Sequence, residues 1–329
     1  MHFMHFKKRL NIGNISFDFI CPLSLRSKLK NAIGLFKAAG CAVKKNKINI
    51  KFMEIEERDM SISETPKSVL SVFKSCTKMH NFSSFDKRGL KILKDTFCLY
   101  GRTPFLLEII RQNLDRFHLD FIIFVVNNGG LLIVVDTKMR VGWVFYLKFK
   151  TWKGGVSSLA FCVRFLINVL VPISNSFVLH SSSIKIDGKG YLFIGVGGAG
   201  KTTISKIILR NLKNTKIVAD DNVLISLEEN SVYAYKICYL DKRIGIGRVI
   251  NKMKVNDVFF IKKSQNPLIS QKDRYEALKE IISFHLQNKV WVTGNRKNIS
   301  KNVLKFINMT KPKILEFRKD SSFLELLRT

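Results

Sequence analysis

Eight consecutive residues, Gly195-Val196-Gly197-Gly198-Ala199-Gly200-Lys201-Thr202, satisfy the pattern GxxxxGK[ST], and Thr203 continues the run. Glycines at such positions let the backbone turn tightly, so that successive N–H groups point at a single anion. A helix expected to start at Lys201 would aim the positive end of its dipole at the same anion. The Lys201 ammonium can reach phosphate oxygens, and the Thr202 hydroxyl can ligate a divalent cation. The chemistry indicated is the holding of a polyphosphate.

Two further sites gain meaning from this loop. Asp220 and Asp221 follow the apolar run Ile217–Ala219, which reads as the end of a strand. Carboxylates at that place suit metal binding or the acceptance of a proton from an attacking hydroxyl. Adjacent carboxylates repel, so both stay ionised only beside a cation such as a metal or Lys201. An Asp pair can also be a plain strand-ending turn. His180, in Leu179-His180-Ser181-Ser182-Ser183, precedes the loop on a strand that can turn back on it through Asp187–Gly190. An imidazole there can orient phosphate or relay a proton, although a single His is often structural.

The elements that must position these residues follow from periodicity. Phe177–Ile186 and Tyr191–Ile194 read as strands, and Lys201–Leu212 as a helix with Ile204, Ile207, Ile208 and Leu212 on one face. Lys216–Ala219 is a strand, and Val223–Leu227 with Val232–Tyr235 a hairpin pair. Val258–Ile261, helices at Tyr275–Leu286 and Ser300–Ile307, and a strand at Ile314–Arg318 complete an α/β unit. Upstream, Ser157–Leu170 reads as a helix ending near Pro172.

The first 150 residues are mixed. Leu23–Ala39 has helical spacing with a Gly40 stop, Ile48–Ile55 alternates as a strand does, and Thr103–Arg116 has a helical look with Pro104 in its first turn. Phe121–Val126 and Leu131–Val135 form a hairpin around Asn127-Asn128-Gly129-Gly130, with a further strand at Trp143–Phe149. Lys150–Gly155 is the expected boundary, dividing an N-terminal region 1–150 from a unit at 151–329.

Composition bounds the rest. A chain of 329 residues with 46% hydrophobic residues can bury a sizeable core. The formal charge of +31 is spread along the chain, as drift on a solvated surface would leave it, or as a surface for an acidic partner would. Cys21, Cys41, Cys76, Cys98, Cys162 and Cys238 show no CxxC pair and no His at ligand spacing, which points to reduced thiols in a cytoplasmic protein. The apolar stretch Val156–Val178 is interrupted by Arg164, Asn168 and Asn175, so no integral membrane segment is expected.

The run LHSSSIKIDGKGYLFIGVGGAGKTTISKIILRNL, followed by KIVADDNVLI, resembles the catalytic domain of HPr kinase/phosphorylase, whose core is similar to that of phosphoenolpyruvate carboxykinase. The resemblance spans roughly 176–329. It implies a P-loop kinase domain of that type behind a mixed α+β N-terminal domain. It also implies ATP held by Gly195–Thr203 and Mg2+ at Thr202 with one of the aspartates, Asp220 being the expected ligand. A catalytic carboxylate at Asp220 or Asp221, an assisting His180, and catalytic use of Lys201 are implied as well. Arg243, in Lys242–Gly247, loosely matches a Gly-containing stretch with an active-site Arg. Residues 1–150 do not look like the N-terminal domain of a true HPr kinase, so the implied acceptor is a hydroxyl on a protein, a peptide or a small molecule. Such relatives often assemble, which implies a homo-oligomer. A nucleotide-dependent regulatory module without phosphotransfer is the reading of another class.

Overall fold

The computed structural model describes residues 5–12, 15–34, 46–56, 105–108, 119–126, 129–136, 140–148, 156–237, 248–287 and 296–327. They form a mixed α/β chain with two sheets.

The first sheet contains β1 (His5–Ile12), β2 (Ile15–Pro22), β3 (Asn46–Glu56), β4 (Phe105–Glu108), β5 (Leu119–Val126), β6 (Gly129–Asp136) and β7 (Val141–Lys148). Their order is β1-β2-β3-β7-β6-β5-β4. Phe17, Phe19, Ile48, Ile50 and Phe52 recur at every second position and are buried, as a sheet with one covered face requires. Their cover is α1 (Arg26–Gly34) and α2 (Val156–Leu170), through Leu29, Ile33, Val163, Leu166 and Ile167. So α2, on the far side of Lys150–Gly155 in sequence, packs into this first core.

On β2, Asp18 lies wholly out of solvent. Its carboxylate accepts from Arg9 Nε at 2.6 Å and Arg9 Nη2 at 3.0 Å, with Lys7 Nζ at 3.2 Å and Lys47 Nζ at 3.3 Å. The Arg9 hydrogen bonds hold this carboxyl well below the usual carboxylate range, against the opposing effect of burial.

The second sheet uses β8 (Ser176–Ile186), β9 (Lys189–Ile194), β10 (Thr215–Ala219), β11 (Asn222–Glu228) and β12 (Ser231–Lys236). It continues with β13 (Arg248–Val249), β14 (Lys252–Lys254), β15 (Asp257–Lys263), β16 (Leu268–Gln271) and β17 (Lys313–Phe317). The main path is β14-β12-β11-β8-β9-β15-β17-β16, with β10 between β8 and β13. β9, β15 and β17 run parallel. One face is covered by α3 (Lys201–Asn211) through Ile204, Ile208 and Leu209, with Phe317 and Phe323 completing that core. The other is covered by α4 (Arg274–Gln287) and α5 (Arg296–Thr310), where Phe306 meets Phe177 edge to face at 5.5 Å. The buried Asn302 amide on α5 donates to Pro172 O at 2.9 Å and Ser176 O at 3.1 Å, tying α5 to the turn that enters β8.

Most predicted elements are present, with three departures. The helix expected over Thr103–Arg116 is, at Phe105–Glu108, the strand β4, paired antiparallel to β5. Its three apolar residues in succession supply an edge to an apolar hairpin, and residues 109–118 lie outside the described set. The helix expected from Leu23 begins at Arg26 after a 3-10 turn at Leu23–Leu25 and is described to Gly34, Gly40 lying outside the described residues. The strands β1, β2, β13, β14 and β16 have no counterpart among the sequence expectations. Lys150–Gly155 and Arg243 also fall outside the described residues. Among the described cysteines, Cys21 and Cys162 are buried free thiols, and burial pushes Cys21 up to about 11. No helix among the described residues is long and apolar enough to cross a membrane.

Two measurements test this packing. Asn302→Ala leaves two buried carbonyls without their donor and is expected to cost about 1–3 kcal/mol in denaturant unfolding. The Asp18 contribution is present above the ordinary carboxylate value of about 4 and is lost as pH falls through the depressed folded value. The thermal midpoint of Asp18→Asn should therefore trail the wild type at neutral pH and converge on it in acid. Parallel curves at all pH would contradict the ion-pair account.

Candidate functional site

The strand β8 changes partners in its middle. Its N-terminal half pairs with β11, from Ser176 opposite Ser226 to His180 opposite Asn222. Its C-terminal half pairs with β9, beginning where Ser181 faces Ile194, and with β10, where Ser183 faces Ala219. The consequences lie on both flanks. On one, β9 ends at Ile194 beside Ser181, so the glycine-rich loop leaves the sheet next to His180 and Ser181. On the other, β10 and β11 run as one interrupted strand along β8, and Asp220-Asp221 is the interruption, passing Ser182 and Ser181. The Ser181 N–H donates to Asp221 O at 3.1 Å.

Residues 195–200 join β9 to α3. Val196, Gly197 and Gly198 are exposed at the tip, and the Ala199 N–H donates to Val196 O at 3.1 Å. Gly200 is the N-cap of α3, with φ 112°. A Cβ there would stand 2.6 Å from Phe317 Cζ, so both backbone and packing demand glycine. A Cβ at Gly197, by contrast, would meet nothing within 4 Å. The first turn of α3 is Lys201, Thr202 and Thr203, with no acidic residue, and the leading N–H groups of any helix lack intrahelical acceptors. The donor set therefore fits an anion lying over the loop tip.

The buried Lys201 ammonium donates to Gly195 O at 2.7 Å and Val196 O at 3.1 Å. Burial holds its pKa below the ordinary lysine value, against the pull of Asp221 and Asp220. Asp220 is also buried; Thr202 Oγ1 donates to its Oδ2 at 2.7 Å and Ser205 Oγ lies 3.2 Å from its Oδ1. Burial raises its pKa, and the hydroxyls of Thr202, Ser182 and Ser205 act in the opposite direction. Asp221 is more open, its side chain 39% exposed. Its Oδ1 is 2.8 Å from His180 Nδ1, and its Oδ2 accepts from Asn222 Nδ2 at 2.7 Å.

Thus His180, Lys201, Thr202, Asp220 and Asp221 meet at the partner change of β8, and Thr203 stands next to them in the first turn of α3. The two aspartates have different surroundings: one is enclosed by hydroxyls, the other is open beside an imidazole. Ser182 and Ser205 were not singled out by the sequence reading. The clue was there in the Ser181–Ser183 run, whose alternate members must face opposite sides of β8, and in Ser205, one turn beyond Lys201. Among the described residues no group of three or more His, Cys, Asp or Glu that could hold a metal stands together. The adjacent oxygens of Thr202 and Asp220 would suit Mg2+, which combines one or two carboxylates with waters and substrate phosphates.

No family model matches the chain, and no curated protein matches it. Among solved structures, the HPr(Ser) kinase/phosphatase from Coxiella burnetii is similar to it at 17% identity and a TM-score of 0.27, covering 46% of this chain and 90% of that one. A likeness at this level assigns neither family nor activity.

Gly200→Ala is expected to destabilise the protein by about 1–3 kcal/mol, the usual cost of a strained backbone position. Gly197→Ala should unfold with the wild type. Equal denaturation midpoints for all three proteins would refute the loop geometry.

Proposed function

We propose that this protein is an ATP- and Mg2+-dependent kinase that transfers the γ-phosphoryl group to a hydroxyl, with a serine of a protein or peptide as the acceptor. The observation that carries the reading is the meeting of a P-loop, a hydroxyl-bound carboxylate and a carboxylate–imidazole pair at one strand. Binding alone would not require Asp221 to stand open to solvent beside His180.

In this reading the N–H groups of Gly195–Thr203 and the ammonium of Lys201 hold the nucleotide phosphates. To do so Lys201 exchanges its bonds to Gly195 O and Val196 O for phosphate oxygens. Thr202 and Asp220 would hold Mg2+, which would supply neutralisation of negative charge during the transfer. Asp221 accepts the proton of the acceptor hydroxyl as its oxygen bonds to the γ-phosphorus and the bond to the β-phosphate oxygen breaks. His180 orients Asp221 through its Nδ1 and stabilises its charge. The division of labour follows burial: the enclosed Asp220 suits a fixed ligand, and the open Asp221 suits a group that must meet a substrate. We assign recognition of the acceptor to residues 1–150 and catalysis to 151–329, in a cytoplasmic protein that self-associates and whose basic surface favours an acidic partner.

Two variants and one assay test the mechanism. Lys201→Ala should lower ATP affinity and turnover together. Asp221→Asn should leave ATP binding intact and reduce turnover by about 10²–10⁴-fold, the usual worth of a general base. The assay incubates wild type and Asp221→Asn with γ-labelled ATP, Mg2+ and a dialysed lysate of the source cells. Label in one protein or peptide band with wild type alone supports the proposal. ATP consumption only after small molecules are restored would move the acceptor to a metabolite. Bound ATP without any transfer would leave a regulatory module.

A further inference from the structure

The proposed transfer makes no direct use of the hydroxyls behind Asp220, although they are the most enclosed part of the site. Ser182 and Ser205 are both fully buried, on β8 and α3 respectively. Ser205 Oγ lies 3.0 Å from Lys201 O, 3.2 Å from Asp220 Oδ1, and in hydrogen-bond contact with Ser182 Oγ. Ser182 is also within hydrogen-bonding reach of the carboxylate.

A serine hydroxyl carries one proton and can accept through its lone pairs. If Ser205 gives that proton to Lys201 O, Oδ1 of Asp220 loses it. The Lys201 carbonyl gains little, because α3 already supplies it with a backbone donor. Either serine can donate in the contact between them; when Ser182 donates, the Ser205 proton is left free for the carboxylate. The pair therefore anchors one oxygen of Asp220 to β8 and α3, while Thr202 holds the other at 2.7 Å. The spacing of Thr202 and Asp220 is set by this frame, before any ligand arrives.

We propose that Ser182 and Ser205 are positioning residues for a divalent cation, fixing the Asp220 carboxylate so that it and the Thr202 hydroxyl present preset oxygens to the metal. This rests on the reading of Thr202 and Asp220 as ligands. Neither serine touches the metal or the nucleotide. Their removal therefore alters metal affinity and leaves metal-free nucleotide binding, made through the loop, unchanged.

The test measures Mn2+ binding by electron paramagnetic resonance in the presence of saturating ADP, and ADP binding by calorimetry without metal. Ser205→Ala and Ser182→Ala are each expected to weaken Mn2+ about 10–100-fold, the usual effect of removing an outer partner of a metal ligand. The double variant should do little more than either single one, because both break the same chain. Ser182→Thr keeps the hydroxyl and should restore affinity, which separates a proton-donating role from a packing role. Unchanged Mn2+ affinity in both alanine variants would overturn the proposal, as would an equal loss of metal-free ADP binding. A wild type that binds no Mn2+ would overturn it together with the ligand assignment. A wild type that binds Mn2+ and ADP but transfers no phosphoryl group removes only the kinase reading, and a fall in Mn2+ affinity in the serine variants still upholds the positioning role.

Discussion

Burying an ionised carboxylate is costly unless donors replace the water it loses, and Asp220 is almost wholly buried. Hydroxyls from two elements meet that demand: Thr202 and Ser205 of α3 donate to the carboxylate, and Ser182 of β8 stands in hydrogen-bond contact behind Ser205. Much of the local architecture follows. The helix α3 must begin where Thr202 can reach the carboxylate, so the loop must close within the six residues after β9. The strand pair β10–β11 must open at Asp220, so that the side chain turns toward α3 and not into a ladder of apolar neighbours. A glycine must cap α3, because Phe317 fills the space where a Cβ would stand.

The order of elements around this carboxylate was legible in the sequence because each is short, periodic and bounded by turn residues. The glycine run, the apolar face of α3 and the Asp-Asp pair after Ile217–Ala219 identified the loop, the helix and the strand end. The separation of the two aspartates was not legible. It depends on which residues of β8 lie opposite, and register belongs to the pairing of strands, not to either strand alone. The partner change at His180–Ser181 is of the same kind: nothing in the string Leu179–Ser183 says that one half pairs with β11 and the other with β9.

The N-terminal strands were harder for a different reason. In β1, Lys7, Lys8 and Arg9 follow one another, so the alternation that marks a half-buried strand is blurred by charge. The meaning of Arg9 emerges only once Asp18 stands across from it on β2. Likewise Phe105–Glu108 has too few residues to show a period, and its strand character comes from the hairpin it joins. Short apolar runs of this kind can be either helix or strand until their neighbours are known.

The first core does not stop at the first sheet. Val178, Leu224, Tyr235 and Ile237, from β8, β11 and the end of β12, are buried in the same cluster as Phe17, Leu29 and Leu166. One face of β8 therefore carries N-terminal packing at Val178 and the P-loop helix packing at Ile184 and Ile186. A fragment trimmed to begin at β8 would keep every loop and carboxylate described above, yet it would lay an apolar strip bare to water. Such a strip favours association between copies. An excised C-terminal half is thus poorly suited to expression by itself, and shortening the chain for crystallisation or display is better begun elsewhere than by removing α2.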